Sequence, residues 1–244
     1  MASYPIEFLI IFNSDLKSAK MGRIHLFEFE DLAWFPQFLR NYETDFLSFL
    51  SNKTGLFKPI LPVIHRGLKA SSSAHIIDLG SGGGGPILSM NSQLQRRFPK
   101  LKIFLTDFYP NIPAFNLMSE KASNLEYIEK PIDARNVPRN LRGLRTLFLV
   151  FHHFKPDDAR QILQDAIYGG DAIAIFEGQE RSLSSIIAMI LSPLSVLLTT
   201  PFIGPFKIGR IIFTYLIPIV PLVVMWDGIV SSLRTYSVKE MKEL

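Results

Sequence analysis

The 244-residue chain contains no cysteine, which excludes disulfides, a thiolate nucleophile and any cysteine-based metal site. That absence is consistent with a reducing compartment. The chain also has no long basic block. Its net charge is +4 and its pI about 9.2, yet Lys and Arg are scattered. Nucleic-acid binding therefore gets no support, while an anionic membrane surface stays open as a partner. No internal repeat or low-complexity tract is present. A secretory leader is not indicated, because the apolar patch at 6–12 has no basic residue ahead of it and no clear cleavage site behind it. Residues 1–20 read as a poorly ordered extension or as translation from an upstream start, with Met21 standing before the domain proper.

Charge is missing locally as well. No charged residue falls between Ser182 and Phe206, or between Ile211 and Trp226; only Lys207 and Arg210 separate the two runs. These runs raise the mean hydropathy to +0.21, and without them the remainder reads as an ordinary globular domain. Pro193, Pro201, Pro205, Pro218 and Pro221 would break or kink long helices within them.

What is present in abundance is glycine, at one place. His75-Ile76-Ile77-Asp78-Leu79 is a short apolar run ending near an acid, and Gly80, Gly82, Gly83, Gly84 and Gly85 follow within six positions. This pattern predicts a buried strand entering a turn without side chains, where a ligand approaches the backbone closely. Pro86 suits the first turn of a following helix, whose free N–H groups would face the turn.

Strands are predicted at 75–79, 102–106, 125–128, 145–150 and 171–176, with helices at 86–97, 111–122 and 156–168. Two more helices are expected within 31–69. Regular alternation of this kind predicts a parallel sheet covered on both faces. The organisation expected is an extension at 1–20, a helical segment at 21–70, a Rossmann-like cofactor-binding domain at 71–181, an apolar segment at 182–226 and a tail at 227–244. Ser237–Leu244 reads as the opening of a polar helix.

Gly80, Gly82 and Gly85 also satisfy the dinucleotide pattern G-x-G-x-x-G, so the turn alone does not name its ligand. Its neighbours narrow the choice. Asp78 precedes the first glycine where nicotinamide-binding turns usually carry an apolar residue. Asp107 lies 22 residues after Gly85 at the end of the second strand, where an acid accepts hydrogen bonds from ribose hydroxyls. Asp133 lies 26 residues further, just past the third strand, in reach of an exocyclic adenine amine.

With these acids in register the chain resembles the class I S-adenosylmethionine-dependent methyltransferases over roughly residues 70–180. The matching segments are Asp78 to Gly84, Asp107, Asp133-Ala134 followed by Pro138, and Phe151-His152-His153-Phe154 after the fourth strand. The resemblance implies an α/β, Rossmann-like, doubly wound and mainly parallel sheet. It implies S-adenosyl-L-methionine as cofactor, held by Asp78, Gly80, Ser81, Gly82, Gly84, Asp107, Phe108, Asp133, Ala134 and Phe151. It also implies sixth and seventh strands, the last antiparallel. No convincing pair follows residue 177, so those strands are expected to be missing or replaced by the apolar section.

Methyl transfer asks the protein to bind, orient and exclude water, with a base only where the nucleophile must lose a proton. His152, His153 and Glu177 are the candidate catalytic residues at strand ends, with Tyr109 a weaker fourth. No metal is expected, since five histidines without recognisable ligand spacing make a poor site. The apolar section has three open readings: an interface-lying hairpin at a membrane surface, a lid or dimer interface, and two membrane spans. In the first, Tyr215 and Trp226 would sit near headgroups while Lys207 and Arg210 snorkel. The expected function is a cytoplasmic methyltransferase, at the cytoplasmic face of a membrane in that first reading, acting on a small or lipid-like molecule. A non-catalytic membrane-associated protein that keeps the cofactor domain, and a nicotinamide-dependent oxidoreductase, are the alternatives.

Overall fold

The computed structural model describes residues 9–10 and 22–244. The reading of residues 1–20 as an extension therefore lies outside the described residues, except for a two-residue strand, β1 (Leu9–Ile10). The sheet contains β2 (His75–Leu79), β3 (Lys102–Thr106), β4 (Leu125–Tyr127), β5 (Leu144–Phe148) and β6 (Ile173–Phe176). The order is β1-β6-β5-β2-β3-β4, and every pairing is parallel. The chain winds outward from β2 through β3 to β4, then returns to the other side of β2 as β5. Neighbours β2 and β5 thus form the switch point at whose carboxyl end ligands collect in open α/β sheets.

Alternation along β2 sends Ile76 to one face and Ile77 to the other. On the first face Ile76, Ile103 and Leu105 pack against Ile64 of α2 (Leu61–Ala70), Met90 of α3 (Ile87–Arg97) and Phe115 of α4 (Ile112–Lys121). On the second, Ile77, Leu79 and Leu147 pack against Ile162 and Ala166 of α5 (Pro156–Gly169). Both faces are covered, which is why the strands read as continuous apolar runs.

Among the described residues no strand follows β6, so an antiparallel ending is not formed there; helices take its place. These are α6 (Leu183–Ile190), α7 (Ser192–Thr199), α8 (Ile208–Ile211) running into one π-helical turn at Ile212–Leu216, and α9 (Ile219–Arg234). Pro193 lies in the first turn of α7 and Pro218 caps α9, positions where a missing N–H costs no helical bond. Helix α9 runs through the boundary expected at 226/227. It joins α1 (Gln37–Thr54) in a third core, where Leu39 and Phe46 meet Val196, Val220 and Val224.

Lys207 and Arg210 do not snorkel. Their side chains bond to Asp45 Oδ2 on α1 at 2.7 and 2.9 Å, and Arg210 is buried, so the two cations pin the apolar section to the domain. Trp226 is likewise fixed, donating from Nε1 to the Phe27 carbonyl at 3.0 Å. The tail forms α10 (Val238–Glu243), started by a reciprocal capping pair between Ser237 and Glu240 and tied by Arg181 to Glu240.

Candidate functional site

A cavity of about 430 Å³ opens over the carboxyl ends of β2, β3 and β5. The turn after β2 forms its floor. Gly80 has φ +72°, and a Cβ there would sit 2.8 Å from the Val150 side chain. At Gly83 a Cβ would meet the Thr44 carbonyl oxygen at 2.5 Å, so only glycine lets α1 close onto the turn. Helix α1 clamps it further: Ser48 Oγ and Asn52 Nδ2 both donate to the Gly85 carbonyl, and Asn52 Oδ1 accepts from Ser89 N at the start of α3.

Asp78 is fully buried beneath this turn. Its Oδ1 accepts from Thr146 Oγ1 and its Oδ2 from Ser81 Oγ, each at 2.7 Å. Burial pushes its carboxyl up to about 7, against the pull of those two hydroxyls. Asp107 at the end of β3 accepts from Gly82 N at 2.7 Å and from Tyr109 N at 2.8 Å. Burial raises it too, with the two backbone donors opposing. An ionised carboxylate offers about four acceptor positions, so Asp107 keeps capacity for a ligand's hydroxyls.

Of the residues expected to hold the cofactor, Asp78, Gly80, Ser81, Gly82, Asp107, Phe108, Asp133 and Ala134 line the cavity. Gly84 does not; it faces Met118. Phe151 does not either. The 3-10 turn at Phe151–His153 rotates its ring into the core against Tyr236. Asp133 lines the cavity with both carboxylate oxygens engaged by Arg135, which also binds Asp158. Those hydrogen bonds hold the Asp133 carboxyl below its usual range. Arg135 N, Nε and Nη2 leave about one acceptor position, so an adenine amine would share that carboxylate with the guanidinium.

The candidate catalytic residues separate in space. His152 is buried, with Nδ1 2.7 Å from Glu177 Oε2 and its backbone N–H on Glu177 Oε1, and neither residue lines the cavity. His153 does, as does Tyr109. His153 Nδ1 lies 2.8 Å from Asp31 Oδ1, and its Nε2 lies 3.2 Å from Glu30 Oε1. Burial opposes charge on His153, but Glu28 and Asp31 outweigh it and hold the imidazole well above its ordinary range.

Two further parts of the wall carried no motif. One is the segment containing Glu30 and Asp31, laid across the cavity and held to α1 by Arg40, which donates to the carbonyls of Glu30 and Leu32. The other is Leu149, whose φ of +58° is a left-handed conformation unusual for a leucine; it ends β5 at the cavity rim.

The fold and site define a Rossmann-like α/β protein with a ligand cavity at its switch point. No protein-family profile and no curated protein matches the chain. Among solved structures it is similar to PKMT2 from Rickettsia typhi, described in complex with AdoHcy, at 13% identity and a TM-score of 0.36. The match covers 74% of this chain and 37% of that one, so the chain spans well under half of that protein's length.

Proposed function

We propose that the chain is an S-adenosylmethionine-dependent methyltransferase acting on a small or lipophilic molecule. The observation that carries this reading is the meeting, in one cavity, of the bare glycine turn with the free acceptor capacity of Asp107. The cavity's volume lies within the range of small-molecule cofactor sites, roughly 300–1,000 Å³. Asp107 would take the ribose hydroxyls, the backbone around Gly80 and Gly82 would border the methionine portion, and Phe108, half exposed, offers an aromatic face to the purine. Asp133 would share its carboxylate between Arg135 and an adenine amine.

S-adenosylmethionine, when bound, supplies an electrophilic methyl group. The chain's own work is orientation and exclusion of water, done by the apolar wall of Leu149, Val150 and Phe154. Of the candidate catalytic side chains only His153 and Tyr109 reach the cavity, while Glu177 and His152 stand behind His153. Incubation of the full chain with S-adenosylmethionine and a lipid extract is expected to release S-adenosylhomocysteine. Binding without release would favour the non-catalytic alternative, and saturable NAD(H) binding instead would favour the oxidoreductase.

A membrane surface is the partner we propose for α6 and α7. Support comes from Leu183, Leu191, Leu194, Leu198, Phe202 and Phe206, each more than half exposed with no charged residue among them. The stretch Leu183–Phe202 is 20 residues long with only 11% of its apolar window buried. The full chain is expected to float with anionic phospholipid vesicles, and Leu198→Glu with Phe202→Glu to abolish flotation. A wild-type chain that stays in solution as a dimer would assign this face to self-association instead.

A further inference from the structure

The segment laid across the cavity brings Glu28 to the two histidines after β5. Glu28 is fully buried, and among the described residues neither of its carboxylate oxygens has a well-aligned hydrogen-bond donor, only the 3.2 Å contacts of Arg234 Nη1 and His153 Nδ1. His152 is 2% exposed, and its Nε2 has no hydrogen-bond partner among those residues. The two face each other at 3.8 Å, too far for a hydrogen bond, and His153 Nδ1 stands 3.2 Å from the same Glu28 oxygen. One donor atom from each of the three residues lies within 4.8 Å of the others. Donors bonded to one ion at ~2.0–2.1 Å in tetrahedral geometry stand about 3.4 Å apart, and the two measured separations straddle that value.

We propose that Glu28, His152 and His153 form a binding site for a divalent transition-metal ion, of the class that zinc represents, with an open position toward the cavity. Buried polar groups in a purely structural network find well-aligned hydrogen-bond partners, whereas here His152 Nε2 has none among the described residues and Glu28 has only the 3.2 Å contacts of Arg234 and His153. His153 Nδ1 would exchange its bond to Asp31 Oδ1 for the ion. The surrounding groups are those such a site requires. Glu177 engages His152 Nδ1 at 2.7 Å, which directs the Nε2 lone pair to the ion, the carboxylate–histidine–metal arrangement. Arg234 contacts the outer oxygens, Glu28 Oε1 at 3.2 Å and Asp31 Oδ2 at 2.6 Å, and so leaves Glu28 Oε2 and Asp31 Oδ1 facing the histidines.

Charge points the same way. The carboxylates of Glu28, Glu30, Asp31 and Glu177 surround this spot, and Arg234 is the one arginine that reaches them among the described residues. Imidazole and carboxylate donors without sulfur suit zinc, iron, nickel or copper. His153, Glu30 and Asp31 line the cavity, so the open position would take an oxygen of whatever ligand enters it. Sequence spacing did not reveal this site, because Glu28 meets the histidines only through the folded N-terminal segment.

The test uses the chelator-stripped full chain without S-adenosylmethionine, so its outcome is independent of the proposed activity. Calorimetric titration with Zn²⁺ is expected to show one equivalent bound, and Co²⁺ to develop visible absorption bands of a site with low coordination number. Glu177→Gln, which removes no ligand, is expected to weaken zinc binding by about 10–100-fold. His152→Ala, confirmed as folded by circular dichroism, is expected to abolish it. A wild-type chain that takes up neither ion, or zinc affinity unchanged in Glu177→Gln, overturns the site whether or not His152→Ala folds.

Discussion

Asp107→Asn is expected to lower affinity for S-adenosylmethionine by roughly ten- to hundred-fold while the protein stays folded. The loss is that of a charge-assisted hydrogen bond to a ligand's hydroxyl, worth ~1.5–3 kcal/mol. The choice of replacement matters because Asp107 has two functions. Its oxygens accept from Gly82 N and Tyr109 N, so it braces the glycine turn as well as facing the cavity. Alanine would strand both buried N–H groups, at a cost of ~1–3 kcal/mol each in stability. Asparagine removes the charge and keeps one acceptor oxygen, so it gives up one of the two bracing contacts where alanine gives up both. Calorimetry on both variants, with thermal melts alongside, separates bracing from binding. Unchanged affinity in a folded Asp107→Asn or Asp107→Ala protein would remove Asp107 from the cofactor site.

The second large effect is on stability and belongs to Asp78. Unfolded, it releases its proton near 3.8; folded, burial holds the proton to about 7. Between those values the native state carries one proton more than the unfolded state, so stability falls as pH rises through that window. The full shift corresponds to about 4 kcal/mol. Asp227, raised to about 8 by burial and by Glu30, contributes with the same sign over an overlapping window. So do Glu43 and Asp107, raised by burial, and, above its ordinary range, His153, held up against burial by Glu28 and Asp31. Asp31 and Glu240 are lowered, and their stabilising contributions are lost on acidification through lower pH values, outside the range in question. His25, lowered to about 4 by burial and by Arg234, opposes the trend between about 4 and 6.5. Urea unfolding at pH 4.5, 6 and 7.5 is expected to show decreasing stability in the wild type. Asp78→Asn is expected to lose a large part of that slope, and the remainder to reflect Asp227, Glu43, Asp107 and His153 less the opposing His25. Equal slopes in the two proteins would mean that Asp78 is ionised in its pocket.

Legibility in the sequence followed burial. The bounds of β2 and β3 could be read to the residue because each is a short apolar run closed by a polar turn. The strand expected at 145–150 stops instead at Phe148, since Leu149 turns left-handed while Val150 keeps the apolar pattern going. Hydropathy does not record where pairing ends. Phe151 read as a cofactor contact because its neighbours fitted a motif, yet a 3-10 turn sends it inward. The competitor for Asp133 was in plain view two residues later, as Arg135. Glu28 was not legible at all: a carboxylate is among the residues least expected in a core, and only the folded segment puts it against His152 and His153. The apolar section was legible in composition, but its two cations were misread. Asp45, far away in sequence, satisfies both.

The central claim is that the glycine turn and Asp107 hold S-adenosylmethionine. Its most direct test is isothermal calorimetry of the wild-type chain titrated in parallel with S-adenosylmethionine and NADH. Saturable one-to-one binding of S-adenosylmethionine and none of NADH is expected. Absence of S-adenosylmethionine binding, or binding of NADH in its place, would contradict it.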